Sequence, residues 1–219
     1  MRTEKPRAII YIDGYNWYHA IFKHYPEWKW LNMQSYFEAL RPDEQVISVK
    51  LFSAMIDPDN LRSDARARQQ KYFDALRTLP KVEVILGMFQ SREVTCRANG
   101  CKYSYHEEKK TDTNIATALL TDAFAARCER MHVVSGDSDI QPPVEWIARN
   151  LSGIKITVYI PALPQDQAKR RLDYYTNAKL PVQCRFLPLE NLQEHQLKGA
   201  VKLPDNSFAV RPSEWKKRS

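Results

Sequence analysis

Short apolar runs alternate with helical patterns along most of this 219-residue chain. Strands that alternate with helices are typical of a parallel sheet that is covered by helices on both faces. We therefore predict an α/β fold with three α/β/α layers and a mainly parallel central sheet. The runs that predict strands span residues 8–12, 46–55, 82–89, 131–134, 154–160 and 182–186.

The pattern predicts one domain over residues 1–187, followed by a polar tail over 188–219. Residues 90–110 interrupt the alternation and predict an irregular insertion. Between the strands, apolar spacing and capping residues predict helices. These helices span residues 14–23, 31–40 and 59–79, begin at 112 and at 142, and span 165–175.

The composition of the chain limits the classes of protein to which it can belong. The chain is 43% hydrophobic, which is enough for a proper core, and its 4 cysteines are too few and scattered for a disulfide scaffold. No apolar run reaches the roughly 18–20 residues that span a bilayer, and the polar start lacks a signal-peptide core. We expect a soluble, cytoplasmic protein without a membrane partner.

The net charge of +7 favours a polyanionic partner, although a solvated basic surface would give the same charge.

Carboxylates follow two of the predicted strands. Asp13 ends the first, and Asp137 and Asp139 follow the fourth. Asp112 lies at the start of a predicted helix, and a helix that begins at the same edge would point its first turn into the cleft. Ligands of open α/β sheets bind at the carboxyl ends of the strands. Converging carboxylates raise one another's pKa unless a cation holds them, and hard oxygen ligands suit Mg²⁺ or Mn²⁺.

Such a metal site is suited to phosphodiester hydrolysis, because a bound cation activates water and neutralises charge. Asn16 lies one helical turn after Asp13 and could orient water or a phosphate oxygen. Three of the acids also have a simpler interpretation as helix caps, namely Asp13, Asp139 and Asp112, with Thr111 as an equally good cap beside Asp112. Acids in three separate segments favour the metal site, because one cap per helix would suffice.

Three motifs in order resemble the NYN domain family, a branch of the PIN-like nucleases. They are YIDGYN at 11–16, EKKTDTNIA at 108–116 and VSGDSD at 134–139, and the resemblance covers roughly residues 7–186. It implies a Rossmann-like, PIN-like α/β/α fold and metal-dependent ribonuclease activity. The implied metal and catalytic acids are the four named above, with Asn16 in the first motif and Ser135 lining the site.

Three positions depart from the family's pattern. Lys110 stands where the family often has Gly, Thr113 where it often has Val, and Ala118 where an acid is frequent. The four acids themselves are intact.

Basic and aromatic side chains surround the predicted acids in the sequence. Lys109 and Lys110 could bind the phosphate backbone, or they could simply solvate a loop. Tyr15, Trp17 and Tyr18 could stack on unpaired bases, although helix-borne aromatics more often pack in a core. A further loose cluster of Cys96, Cys101 and His106 has three of the four ligands that structural zinc requires.

The sequence thus predicts a nuclease that depends on Mg²⁺ or Mn²⁺ and acts on nucleic acid, with RNA as the expected substrate. A nucleic-acid-binding or scaffold protein with a silent site is the alternative from another class. A small-molecule phosphatase is a third candidate, but the first motif lacks a second Asp two residues after Asp13. Whether the chain forms a homodimer stays open.

Overall fold

A computed structural model describes residues 4–56, 63–95, 100–167 and 172–217 of the chain. Six strands form one sheet in the order β3-β2-β1-β6-β7-β8, and every neighbouring pair is parallel. The predicted parallel α/β fold is therefore confirmed. The strands are β1 (Arg7–Asp13), β2 (Gln45–Ser53), β3 (Val82–Leu86), β4 (Met88–Thr95), β5 (Lys102–Lys109), β6 (Arg130–Val134), β7 (Lys155–Ile160), β8 (Val182–Phe186), β9 (Ala200–Lys202) and β10 (Phe208–Val210).

The helices occupy the predicted intervals, with some differences in their bounds. They are α1 (Gly14–Trp17), α2 (Met33–Leu40), α3 (Ser63–Arg77), α4 (Thr111–Phe124), α5 (Gln141–Asn150) and α6 (Asp173–Asn177). A π-helical turn, Tyr18–Phe22, continues α1, and a 3-10 turn, Ser138–Ile140, precedes α5. The helix predicted over 165–175 is instead a 3-10 turn, Pro164–Asp166, and the short α6, with residues 168–171 outside the described chain. The predicted start of α3 also lies outside it.

Two hydrophobic layers sandwich the sheet. Along β1, Ile10 and Ile12 pack with α1, α2 and α3, whereas Ile9 and Tyr11 pack with α4 and α5. This alternation follows from the period of two in a β-strand, and apolar residues on both faces are what a doubly covered sheet requires. No helix in the described part of the chain is long and apolar enough to cross a membrane.

The insertion over residues 90–110 is not irregular, which corrects the sequence prediction. Strands β4 and β5 pair antiparallel from Met88 with Lys109 to Thr95 with Lys102. The predicted third strand therefore divides at Gly87 into β3 and β4. The zinc prediction stays untested, because Cys96 and the side chain of His106 lie outside the described residues.

The C-terminal segment is not a loose polar tail, and this too corrects the prediction. Strands β9 and β10 form an antiparallel pair, and Leu192, Ala209 and Trp215 are buried in the core. The indole of Trp30 donates to the Lys198 carbonyl at 2.8 Å, and a β-bridge joins Leu31 to Gln196. Residues 188–217 therefore form part of the packed fold.

A buried ion pair connects the sheet to α4. Lys50 Nζ donates to Asp122 Oδ2 at 2.7 Å, and both side chains are almost completely buried. The hydroxyl of Tyr11 donates to the same carboxylate at 2.8 Å, and Arg127 donates to its other oxygen at 3.0 Å. Burial raises the pKa of Tyr11, so the phenol stays a neutral donor. The Asp122 carboxylate is thus fully paired, as a buried charge requires.

Candidate active site

The candidate site lies where the strand order reverses. Strand β1 pairs with β2 on one side and with β6 on the other, so two crossover connections leave this point in opposite directions. In open α/β sheets this is where a crevice forms at the carboxyl ends of the strands. Asp13 is the last residue of β1, and Ser135 follows the last residue of β6 directly.

The carboxylate of Asp13 is buried, and each of its two oxygens accepts a hydrogen bond. Its Oδ1 accepts from the backbone N–H of Asn16 at 2.9 Å, so it caps α1 as one interpretation of the sequence predicted. Its Oδ2 accepts from the Ser135 hydroxyl at 2.8 Å. Burial raises the pKa of Asp13, the two hydrogen bonds oppose that rise, and the charge of Asp137 adds to it. Each oxygen keeps a further lone pair, so capping does not prevent Asp13 from binding a cation.

Ser135 and Asn16 join the two strand ends. The buried Ser135 hydroxyl donates to Asp13 and accepts from the Asp137 N–H at 3.0 Å. The side-chain oxygen of Asn16 accepts from the Gly136 N–H at 2.9 Å. Both side chains therefore hold the loop after β6 against the first turn of α1. The sequence placed them at the site, but it did not reveal that they connect its two halves.

Asp137 and Asp139 occupy the exposed side of the crevice. Asp137 caps the 3-10 turn that precedes α5, since its Oδ1 accepts from the Asp139 N–H at 3.0 Å. Both carboxylates are held near the edge by a short, capped turn, yet both stay accessible to solvent. An accessible pair beside a buried acid is an arrangement that a hydrated cation can approach.

Asp112 reaches the same edge from the first turn of α4. Partial loss of hydration is the main cause that raises the pKa of Asp112, and the charges of Asp13, Asp137 and Asp139 raise it further. These interactions bring the four predicted acids into one electrostatic cluster around Asp112, whose ionisation the charges of the other three disfavour.

Lys109 and Lys110 lie immediately before α4. Lys109 ends β5, and Lys110 adopts a left-handed backbone with φ of 76°. Glycine adopts this conformation at the lowest cost, which gives a physical reason why a related sequence would carry Gly there. The carbonyl of Lys110 accepts from the Asn114 N–H at 2.8 Å and so begins the helix.

Gly87 sets the position of this helix start, a role that its local sequence does not reveal. A Cβ at Gly87 would lie 2.6 Å from the Lys109 carbonyl oxygen and 2.7 Å from Thr111 Oγ1. Gly87→Ala should therefore displace the start of α4 and reduce the free energy of unfolding by about 1–3 kcal/mol, the usual cost of overpacking. Urea denaturation measures this loss.

Gly153→Ala is the matched control for this substitution, because a Cβ there meets no atom within 4 Å. We expect no loss of stability in the control. Equal stability of the two variants would show that α4 does not depend on the close approach at Gly87.

The acids form no preformed metal cage. Among the described residues, no three His, Cys, Asp or Glu side chains are grouped closely enough to hold an ion. This arrangement is still compatible with Mg²⁺, which keeps several waters and is commonly bound through only one or two carboxylates. The chemistry of the donors fits hard cations, since the cluster consists of carboxylate oxygens whose mutual repulsion a cation would relieve.

No family model matches the chain. The chain is 27% identical over 198 residues to the 6-hydroxy-3-succinoylpyridine 3-monooxygenase HspA of Pseudomonas putida, and the match covers 76% of this chain. The chain spans 63% of the length of that curated relative. A relative of this chain is thus an enzyme.

A solved structure also has a similar fold. It is a protein of unknown function from Vibrio parahaemolyticus, with a TM-score of 0.53 and 20% sequence identity. The similarity covers 87% of this chain and 98% of that one. This likeness supports the three-layer α/β/α architecture, and it concerns the fold alone.

Proposed function

We propose that this protein is a nuclease that hydrolyses phosphodiester bonds in RNA, with Mg²⁺ or Mn²⁺ held by Asp13, Asp112, Asp137 and Asp139. One observation carries the proposal. Four carboxylates from three separate segments share one electrostatic cluster at the carboxyl edge where the strand order reverses. The resemblance of the same three segments to the NYN family supports this interpretation, as does the basic character of the chain.

The side chains have distinct roles in this proposal. A bound cation would lower the pKa of a water molecule toward about 7 and neutralise charge at the phosphate. Ser135 and Asn16 are positioning residues, because their hydrogen bonds hold Asp13 beside the loop that carries Asp137. Lys109 and Lys110 stand at the start of α4 next to Asp112, from where they would contact the phosphate backbone of a bound strand.

The direct test is incubation of the purified protein with single-stranded and structured RNA, and with the corresponding DNA, in Mn²⁺ or in chelator. We expect cleavage of RNA that requires the metal, and mapping of the cut ends would identify the preferred site. Binding of RNA without cleavage, in any metal, would favour the silent scaffold. Release of phosphate from nucleotides, without any cleavage of RNA, would favour a small-molecule phosphatase.

Asp112→Asn is predicted to stabilise the metal-free protein at neutral pH. The raised pKa of Asp112 means that its ionised form is disfavoured in the fold relative to the unfolded chain. This penalty is absent at low pH, where the carboxyl is protonated in both states, and it grows as the pH rises through the raised pKa. The variant should therefore melt at a higher temperature than the wild type at pH 7, and the difference should shrink toward pH 4.

Mn²⁺ should reverse the order of the melting temperatures of the wild type and Asp112→Asn. At ten times its Kd, the ion should raise the melting temperature of the wild type by about 3–6 °C and that of Asp112→Asn by much less. Asp43→Asn is the matched control, because Asp43 is exposed just before β2, at the opposite edge of the sheet. Equal shifts for all three proteins would exclude Asp112 as a ligand.

A second candidate function comes from the Pseudomonas putida relative, which is named as a monooxygenase. Such an enzyme inserts one atom of O₂ into its substrate and reduces the other to water, with two electrons from a reduced nicotinamide or flavin. Incubation with 6-hydroxy-3-succinoylpyridine, O₂ and each reductant tests this activity directly. Turnover of the pyridine, without any cleavage of RNA, would replace the nuclease proposal.

A further inference from the structure

A second recess opens at the same edge of the sheet. Its volume is about 540 Å³, and it lies between α1, the carboxyl end of β2, α3 and the C-terminal 3-10 turn Ser213–Trp215. This size is within the usual range for small-molecule sites. Aromatic rings form much of its wall, among them those of Tyr15, Trp17, Tyr18, Tyr72, Phe73 and Trp215. We call this recess the aromatic pocket.

The aromatic pocket contains a buried donor that lacks an acceptor. Trp17 is completely buried, and its indole N–H has no hydrogen-bond partner within the described chain. A buried polar group without a partner costs free energy, and an indole can only donate. Because this N–H is closed off from solvent, a ligand carbonyl oxygen or ring nitrogen would satisfy it after a small movement of the surrounding rings.

Two cationic side chains also line the aromatic pocket. Lys29 Nζ lies 4.9 Å from the ring centre of Tyr18 and 5.9 Å from that of Trp215. Arg68 donates to Glu214 at 2.9 Å, whereas Lys29 forms no ion pair within the described part of the chain. Burial and the nearby charge of Arg68 lower the pKa of Lys29. An anionic group between these two cations would relieve that repulsion.

A ligand that satisfies all these groups combines a planar ring, a hydrogen-bond acceptor and an anion. Aromatic side chains stack on nucleobases whatever their identity, because every base presents a π-face. We propose that the aromatic pocket binds a nucleotide unit, with its base among the rings and its phosphate at Lys29 and Arg68. This inference rests on the proposed nuclease function, since it assigns the unit to the RNA substrate.

The position of the pocket next to the acids favours a nucleotide over a free aromatic acid. Gly14 lines the pocket and follows Asp13 directly, so the two recesses share the turn between β1 and α1. A strand of RNA could therefore place one phosphodiester at the acids while the base of a neighbouring unit enters the pocket. The pocket would then hold the strand in register for cleavage.

The test is titration of the whole protein with adenosine 5′-monophosphate in the presence of EDTA. Tryptophan fluorescence and calorimetry report binding without any contribution from metal or cleavage. We expect saturable binding that Lys29→Met weakens at least about tenfold, because the variant keeps the apolar stem but loses the charge. Trp17→Phe should weaken binding without abolishing it, because it removes only the indole and its N–H.

Lys23→Met is the matched control, since Lys23 is exposed and does not line the pocket. It should bind the nucleotide as the wild type does, and thermal melting would show which variants remain folded. Nucleotide binding that Lys29→Met leaves unchanged would overturn the assignment of the site. So would binding of an aromatic acid, such as 6-hydroxypyridine-3-carboxylate, by a protein that ignores the nucleotide.

Failure of this inference is distinguishable from failure of the proposed function. A protein that cleaves RNA but does not bind the nucleotide keeps the nuclease proposal and loses the pocket assignment. A protein that binds the nucleotide through Lys29 but never cleaves RNA keeps the pocket and loses the nuclease proposal.

Discussion

Asp137→Asn is expected to reduce metal-dependent RNA cleavage at least about 100-fold while the protein stays folded. Outer-shell partners of metal ligands already cost about 10–100-fold when they are removed, so the loss of a ligand should cost at least as much. The fold should survive because asparagine is nearly isosteric and its side-chain oxygen can still accept from the Asp139 N–H. The substitution therefore removes charge from the site with little change in its shape.

Initial rates of RNA cleavage in Mn²⁺, measured beside the melting temperature, check this prediction. Asp43→Asn is again the control, because it makes the same chemical change at the opposite edge of the sheet and should keep the wild-type rate. Undiminished cleavage by a folded, purified Asp137→Asn protein would show that the carboxylate cluster is not the catalytic site.

The second large effect is on stability. Asp122→Ala is expected to lower the free energy of unfolding by about 3–5 kcal/mol, because it leaves the Lys50 ammonium buried without its partner. The phenol of Tyr11 would lose its acceptor as well. Urea denaturation of the two proteins at neutral pH measures the difference.

Removing the whole buried cluster should cost far less than removing one charge. Apolar side chains of similar volume often replace buried ion pairs without loss, so Tyr11→Phe, Lys50→Met and Asp122→Leu together should recover most of the stability. Glu129→Gln offers a comparison, since the Arg7–Glu129 pair is exposed and should contribute much less. A loss below 1 kcal/mol for Asp122→Ala would mean that the uncompensated lysine is rehydrated.

The sheet and its acidic edge were predictable because their signals are local. A buried strand in a parallel sheet is a continuous apolar run, and the residue that ends it is visible in the sequence. Asp13 and Asp137 follow such runs, so the edge could be located before the strand order was known. Asp112 was predictable because Ile115, Leu119 and Ala123 recur at helical spacing and are all buried, which indicates where the helix begins.

The hairpin of β4 and β5 was missed because both strands carry many polar side chains and no apolar run. The Asn99-Gly100 dipeptide was the signal that could have indicated a hairpin turn. The C-terminal strands were missed for a different reason. The segment just before them, at Gln196 and Lys198, contacts Leu31 and Trp30, which lie far away in the chain, and the sequence pattern gives no information about such distant pairs.

The buried ion pair and the aromatic pocket also depend on distant contacts. A lysine within the apolar run of β2 and an acid on the apolar face of α4 are each visible in the sequence. Only the fold shows that they meet. Trp17 and Trp215 are likewise separated by nearly the whole chain, yet they line one recess. Local pattern thus identifies what each segment is, and tertiary packing decides which segments meet.

The hydrogen bond between Asp13 and Ser135 joins residues that are 122 positions apart. Strand β1 leaves the ribosome early, but its pairing with β6 must wait until most of the domain has been synthesised. Closing so long a loop costs entropy that only the finished sheet repays. The carboxylates of the crevice therefore cannot come together until β6 and the loop after it have been made, and a shorter nascent chain would carry Asp13 without the partners that complete the site.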